Sequence, residues 1–443
     1  MKIKFLLATL ILLLFTIVAQ AETLSLKDCI DSSLQQSEKV KASQVGAQAA
    51  KDGKNAIIFN FLPTTKFEMG YQWLKFVPEP EPFDIGALMG QPAGTATIGG
   101  LPDKSRTMNI TVVEPITPLW SVFNGYKAAS LGQDIAEIQA KLTADQIQME
   151  VINLFYNHQM LTESFEILNK TKEQLERYRT KAQNFVDAGI SDKRAVLKIE
   201  IELAKIEQQV MIVEGNLKLL KKNLSIFMNR DSGSFTLDTE KTSSNTLSAQ
   251  SDELNTMMHK SRLELKMLKK SDKIAKHLEW IAIQPLIPTL AIAGGYSKTW
   301  DASSFQPEGT LFIGGSLSWN VGFDWGSAIF NYKKARAEKV KTQLENIAAK
   351  KSMEVQLIQL ENDVNTKSQA IKIAKKEIDS SQENLRIEED KYNQKLTTET
   401  DLLDASIAFR SAKLKLLTSI YEHEVALNRL AITIGVPYEE ITN

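Results

Sequence analysis

His423-Glu424 begins the pattern of a zinc-binding helix, in which two histidines four residues apart hold the metal and the glutamate activates water. Leu427 stands where the second histidine is required, so the pattern stops at one ligand. His158, His259 and His277 are scattered over helical tracts. His158 and His423 fall near heptad rows, which suits a packed or lumen-facing imidazole. Gly99-Gly100, Gly294-Gly295 and Gly314-Gly315 lack the spacing of a phosphate loop or a dinucleotide fingerprint and read as turn or strand glycines. Cys29 is the one cysteine, so no disulfide forms within the chain, and a small buried residue on a helix is its simplest role. No residue set reads as catalytic, and no metal or other cofactor is expected. One pair remains. Asp401 and Asp404 lie three apart, which puts both carboxylates on one helix face. Thr398 and Asp401 also fit a capping box, where the acid serves only the helix start.

The elements that would position these acids are unusual. The chain has 443 residues, with 53 basic against 54 acidic and a net charge of -1, which excludes a strongly basic nucleic-acid surface. Lys2 and Lys4, the apolar stretch Phe5 to Val18 and the small-x-small Ala19-Gln20-Ala21 read as a secretory signal (1–21), with the mature start at Glu22. No later apolar run is long enough for a helical membrane span. A β-barrel stays possible, because its strands alternate and escape a hydropathy scan.

The chain repeats itself. Leu62-Pro63-Thr64 leads into a strand that reaches Gly70-Tyr71, and Ile287-Pro288-Thr289 leads into another that reaches Gly295-Tyr296 at the same spacing. Such a period means one structural unit used twice. We expect a first repeat over 22–230, a polar linker over 231–248 and a second repeat over 249–443. Residues 119–284 and 308–436 hold no proline, which permits long helices. Val196, Ile199, Leu203, Ile206, Val210, Val213, Leu217, Leu220, Leu224 and Phe227 alternate spacings of three and four, the seam of a supercoiled helix. Leu154, Leu161, Leu168 and Leu175 form a second row, and Leu402, Phe409 and Leu416 a third, with Ala405 and Ala412 beside it. A helix from Trp120 to Gly189 would run on the order of 100 Å. Trp120-Ser121 and Trp325-Gly326 open the two long tracts, and Leu24–Asn60 and Leu254–Ile283 form shorter ones.

The strands alternate. Phe67, Met69, Tyr71 and Trp73 face opposite to Lys66, Glu68, Gly70 and Gln72, and Leu311, Ile313, Leu317 and Trp319 face opposite to Phe312, Gly314, Ser316 and Ser318. Lipid on one side and water on the other suits this, and so does a soluble sheet lying on helices. Tyr71, Trp73, Tyr296, Trp300 and Trp319 near the strand ends suit interfacial anchors. The loop 74–106 carries five prolines and need not hold one conformation. Four strands cannot close a membrane barrel, and open edges are too costly in lipid. If these strands enter a membrane, several chains must share one barrel.

The stretch Tyr392-Asn393-Gln394-Lys395-Leu396-Thr397-Thr398-Glu399-Thr400-Asp401-Leu402-Leu403-Asp404-Ala405 resembles the periplasmic tip turn of the TolC family of outer-membrane efflux proteins. So does the order helix, strand pair, long helix, turn, helix, used twice. The resemblance implies an α+β membrane protein in which four strands per chain join a trimeric twelve-stranded transmembrane β-barrel, continued by a coiled-coil tunnel. It implies the outer membrane of a Gram-negative bacterium with helices reaching into the periplasm. The implied partners are two further copies, outer-membrane lipid, a periplasmic adaptor (membrane fusion) protein and an inner-membrane transporter that supplies the energy. The resemblance further implies that the channel itself is a passive conduit for efflux or, as in type I systems, secretion.

The resemblance also assigns residues. Tyr392, Asp401 and Asp404 match the constriction at the tunnel tip, where trimeric acidic rings would favour cations. Asp401 fits this role and the capping role equally. Ala188, Gly189, Ile190 and Ser191, with Lys395, Leu396 and Thr397, match the adaptor-facing tips, although a plain helical turn accounts for each alone. Lys395 stands where the family carries glycine, and Thr397 replaces an arginine that latches the tip in the best-known member. Two other readings compete: a periplasmic coiled-coil scaffold or adhesin without a pore, and a secreted enzyme with helical insertions.

Overall fold

A computed structural model of the protein describes residues 22–73, 81–84, 95–98, 104–238, 245–300, 309–319 and 322–442. The expected signal segment, most of the 74–106 loop and the 301–308 loop lie outside the described residues. The chain divides into two compact units. One is formed by Gln48–Ile135 and Leu268–Asn346, and the other by the chain up to Ala47, Ala136–Met267 and the chain from Ile347 on. Each unit therefore draws on both halves of the sequence.

The first unit holds an antiparallel sheet of β2 (Thr64–Trp73), β5 (Lys104–Pro115), β7 (Thr289–Thr299) and β8 (Gly309–Ser318), in the order β2-β5-β7-β8. The two strand pairs read from the sequence thus meet through β5 and β7, while β2 and β8 are open edges among the described residues. The register aligns the alternating faces across all four strands: Phe67 lies beside Ile110, Ile110 beside Tyr296, and Tyr296 beside Leu311. One face is therefore apolar from edge to edge. It is also bare, with Leu311 82% and Ile313 86% exposed. The other face carries Lys66, Glu68, Gln72, Asn109, Ser297 and Thr310. Phe312 interrupts it, lying across Gly295, where a Cβ would come 2.9 Å from the ring. An aromatic ring covering a strand glycine supplies the packing that glycine lacks. Within the proline-rich stretch, β3 (Glu81–Asp84) and β4 (Thr95–Ile98) pair as an antiparallel ribbon that its composition did not suggest.

The helices are α1 (Leu26–Gln36), α2 (Glu38–Ile58), α3 (Leu119–Asp187), α4 (Lys193–Phe227), α5 (Ser251–Ser261), α6 (Leu263–Ile281), α7 (Phe323–Asn393) and α8 (Glu399–Ile434). The long helices have 69 and 71 residues. The shorter tracts are not continuous, contrary to the sequence reading. Each breaks after one capped 11-residue helix, at Ser37 (φ -59, ψ 124) and at Arg262 (φ -57, ψ 123). Neither break involves proline or glycine, so no local signal announced it. Capping boxes at Ser25/Asp28 and Gln250/Glu253 start the two helices at matching places.

The stretch expected as a polar linker contains a strand. Phe235–Leu237 forms β6, which pairs in parallel with β1 (Glu22–Leu24). Phe235 and Leu237 are buried with Cys29, Val151, Phe155, Leu224 and Met228. Two apolar residues in a Ser/Thr-rich stretch were too few to show as a pattern. Cys29 is fully buried on α1, and burial pushes its thiol up to about 12. Of the α4 seam, Val196, Ile199, Leu203, Ile206 and Leu224 are buried, as the heptad spacing requires.

Candidate functional site at the helical tips

The two tips are the same structure built from different residues. At the end of α3, Gly189 adopts φ 71, its N–H donates to Val186 O at 2.9 Å, and the Ile190 N–H donates to Phe185 O at 2.8 Å. At the end of α7, Lys395 adopts φ 65, its N–H donates to Tyr392 O at 3.2 Å, and the Leu396 N–H donates to Lys391 O at 2.9 Å. Both are Schellman turns, which satisfy the last helical carbonyls and require a left-handed residue. Asp192 and Thr398 then cap the next helices, α4 and α8.

Lys395 sits in a conformation that favours glycine, and its side chain explains how it is held there. The ammonium lies over the Phe185 ring and 5.4 Å from the Tyr392 ring centroid. Phe185 and Tyr392 meet edge to face with centroids 5.9 Å apart. Lys181 Nζ approaches Phe185 at 6.0 Å and donates to Asn393 Oδ1. Desolvation, then repulsion from Lys181, lowers the Lys395 pKa, and Glu399 opposes the shift.

Tyr392 is buried, at 4% exposure, in the core formed with Leu385, Leu402 and Leu403. Burial raises its hydroxyl pKa, with Glu399 adding to the effect. Asp401 and Asp404 are both exposed on α8. The structure thus brings the two acids together on one face and sets Tyr392 inside the tip. The Asp401 carboxylate accepts from Thr398 Oγ1 at 2.6 Å, from the Thr398 N–H at 3.2 Å and from Thr397 Oγ1 at 3.1 Å. Those bonds, the Thr398 hydroxyl first, hold it below the usual carboxylate range. The capping box is therefore formed.

Thr397 Oγ1 also lies 2.8 Å from Glu388 Oε2, so its hydroxyl bridges Glu388 and Asp401. Lys391 donates to Glu388 at 2.7 Å, and this bond, followed by that of Thr397, lowers the Glu388 pKa. Links between the hairpins come from residues that the sequence reading missed. The Tyr178 hydroxyl donates to Glu389, and Gln174 Nε2 donates to the same carboxylate at 2.9 Å. Burial first, and then Glu389, raises the Tyr178 pKa. Lys198 Nζ reaches Thr400 Oγ1 at 2.7 Å and Glu399 at 3.2 Å. Gln174, Tyr178, Lys181 and Phe185 recur at spacings of four, three and four, a helical stripe that could have flagged them. At the turns themselves Ile190 is 61% and Leu396 72% exposed, Gly189 and Lys395 are exposed, and Ser191 and Thr397 are half-buried.

The remaining assigned residues lie on the sheet. Tyr71, Trp73, Tyr296 and Trp300 are exposed toward its loop end, while Trp319 is exposed at the end of β8 nearer the helices, packed on Trp325 with centroids 5.8 Å apart. His423 is buried with no hydrogen-bond partner at either ring nitrogen. Burial, with Lys221, lowers His158 to about 4. Among the described residues no three His, Cys, Asp or Glu side chains converge, and no helix is long and apolar enough to cross a membrane.

Residues 280–436, from the end of α6 through α8, match the family model described as outer membrane efflux protein. The fold agrees over nearly the whole chain. The chain has the fold of solved outer-membrane channels. This fold is shared with the CusC channel, at a TM-score of 0.79 and 13% identity over 93% of this chain and 92% of that one. VceC from Vibrio cholerae superposes at a TM-score of 0.74 with 14% identity, over 93% of this chain and 96% of that one. CmeC from Campylobacter jejuni gives 0.74 and 14%, over 93% and 85%. At such identities the likeness is one of fold. No curated protein matches the chain in sequence. The family description agrees with the outer-membrane location read from the sequence.

Proposed function

We propose that the chain is one third of a passive outer-membrane conduit, fed from the periplasm by an adaptor protein and an inner-membrane transporter. One observation carries this reading. The four-stranded sheet has two open edges and a continuous, bare apolar face. In lipid the unpaired edge groups have no water to bond, so the edges must find partners. In water the face would be an aggregation surface. Edge-to-edge closure of three copies, β8 of one against β2 of the next, gives twelve strands and removes both problems. The family match over residues 280–436 supports the efflux role.

At the tip turn, Asp401 and Asp404 form the constriction, backed by Tyr392 inside the turn. Three copies would stack two rings of carboxylates, which attract cations. Ile190 and Leu396, exposed at equivalent places, offer the adaptor paired apolar contacts, with Gly189, Ser191, Lys395 and Thr397 around them. The first test is the location and mass of the mature protein in mild detergent. A membrane-bound trimer is expected, and a soluble monomer would remove the channel and leave a periplasmic scaffold. The second is conductance in planar bilayers. Asp401→Asn with Asp404→Asn should reduce cation preference, and an unchanged preference would leave Asp401 only its capping role.

A further inference from the structure

The apolar face of the sheet carries cations at one end only. Lys104 lies beside Trp73 and Arg106 beside Tyr71, while the Trp300 N–H donates to Arg106 O at 3.0 Å. Lys298 lies beside Met108. Residues directly opposite on neighbouring strands share a face. Lys104, Arg106 and Lys298 therefore stand on the same face as Tyr71, Trp73 and Trp300, at the end reached by the 74–103 and 301–308 loops. The other end of that face holds Val112, Glu114, Leu290 and Leu317 and no Lys or Arg. Among the described strand residues of this sheet one further cation occurs, Lys66, on the opposite face and paired with Glu68 at 2.5 Å.

A cation on a lipid-facing strand is strongly unfavourable at the bilayer centre and nearly neutral at headgroup depth. The cluster thus marks a headgroup level, as do the aromatic residues around it. The charges are close. Lys104 and Arg106 are about 7 Å apart along one strand, and Lys298 is diagonal to Arg106 at roughly 7–8 Å between Cα atoms. Lys298 Nζ lies 5.3 Å from the Trp300 ring centroid, which holds it at the corner. Arg106 also keeps a partner within the chain. Lys104 and Lys298 flank Arg106, and an anion with several oxygens can accept from the two lysines. Phosphate does so with short charge-assisted hydrogen bonds from both Lys and Arg.

We propose that this corner is a docking site for the anionic phosphate headgroup of a lipid in the leaflet at the loop end of the sheet. The proposal rests on the reading that the sheet enters a membrane. The apolar face below the cluster takes the acyl chains, so the occupant is a lipid and not free phosphate. The test is native mass spectrometry of the purified full-length protein in mild detergent, with diphosphoryl lipid A, phosphatidylcholine or inorganic phosphate added. The native protein should retain diphosphoryl lipid A in preference to phosphatidylcholine, and inorganic phosphate should not displace it. At roughly fivefold per cation, Lys104→Gln with Lys298→Gln should weaken retention about 25-fold, while Lys104→Arg with Lys298→Arg should keep it. Equal retention by the Gln variant, or displacement by inorganic phosphate, would overturn the site. Insertion into phosphatidylcholine vesicles separates the two readings. If native and Gln-variant proteins both insert but lipid A is not preferred, only the headgroup site fails; if neither inserts, the membrane reading fails with it.

Discussion

The tip turn at Lys395 gives a sharp test, because two opposing effects of similar size meet on one residue. A non-glycine residue in the left-handed region costs roughly 1–2 kcal/mol. Against this, an ammonium over an aromatic face contributes about 0.5–1 kcal/mol at an exposed site, and Lys395 lies over Phe185 with Tyr392 nearby. Lys395→Ala keeps the backbone cost and loses the ring contact, so the tip should weaken by about 0.5–1 kcal/mol. Lys395→Gly relieves the backbone and loses the same contact, and its freer unfolded chain costs about 0.5–1 kcal/mol. The Gly variant should therefore stay within about 1 kcal/mol of the native protein and above the Ala variant. Gly189→Ala is the control in the first tip. Its φ is 71 and no atom crowds the added Cβ, so the expected loss of about 1 kcal/mol is purely conformational. Hydrogen-exchange protection of the Lys395, Leu396 and Ile190 amides reads the effect locally. An Ala variant at Lys395 as protected as the Gly variant would refute the argument, since the left-handed backbone would then carry no cost.

Three other outcomes follow from the hydrogen-bonding pattern. Asp401 has a lowered pKa, so its capping contribution is complete above the unfolded carboxyl value and is lost as pH falls through the folded one; exchange at the Asp401 and Leu402 amides, corrected for intrinsic rate, should rise only below about pH 4. Glu424 is buried, accepts from Tyr438 at 2.5 Å and from the Asn245 N–H at 3.1 Å, and has a pKa raised by desolvation. Its stability effect has the opposite sign, with stability falling as pH climbs above the ordinary carboxyl value, so Glu424→Gln should flatten the dependence of Tm on pH while Glu424→Leu lowers Tm throughout. Arg262, 3% exposed at the α5–α6 break, donates to Gln356 at 2.6 Å and pairs with Glu264 at 3.3 Å; Arg262→Met should cost about 2–3 kcal/mol in denaturant unfolding, and a loss below measurement error would show that the break is held by packing alone.

Much of this architecture was legible because it is periodic. The two-residue alternation of Phe67 to Trp73 and Leu311 to Trp319, the heptad row from Val196 to Phe227 and the matched Pro63 and Pro288 each extend over many residues, so every position repeats the same message. The elements that repeat nothing were lost. The breaks at Ser37 and Arg262 rest on single residues with no special backbone preference, and β6 hides two core residues in a polar stretch. At the tip, the glycine in the first turn and the Thr398–Asp401 box were readable from local chemistry. That Phe185 lies under Lys395, or Tyr178 against Glu389, depends on residues more than two hundred positions apart, and only packing of the two hairpins brings them together.

By itself the amino-acid order determined what each periodic segment is: the four strands of the larger sheet, the supercoiling helices, and that one unit is used twice. It did so because a side-chain period is a property of neighbouring residues. Which segments gather into each compact unit, that β5 meets β7 with β2 and β8 left open, and that Tyr392 turns inward while Asp401 and Asp404 stay exposed were decided only in three dimensions. Pairing and burial are set by surfaces that meet across long separations, and no local pattern encodes which surface a given strand or helix will find.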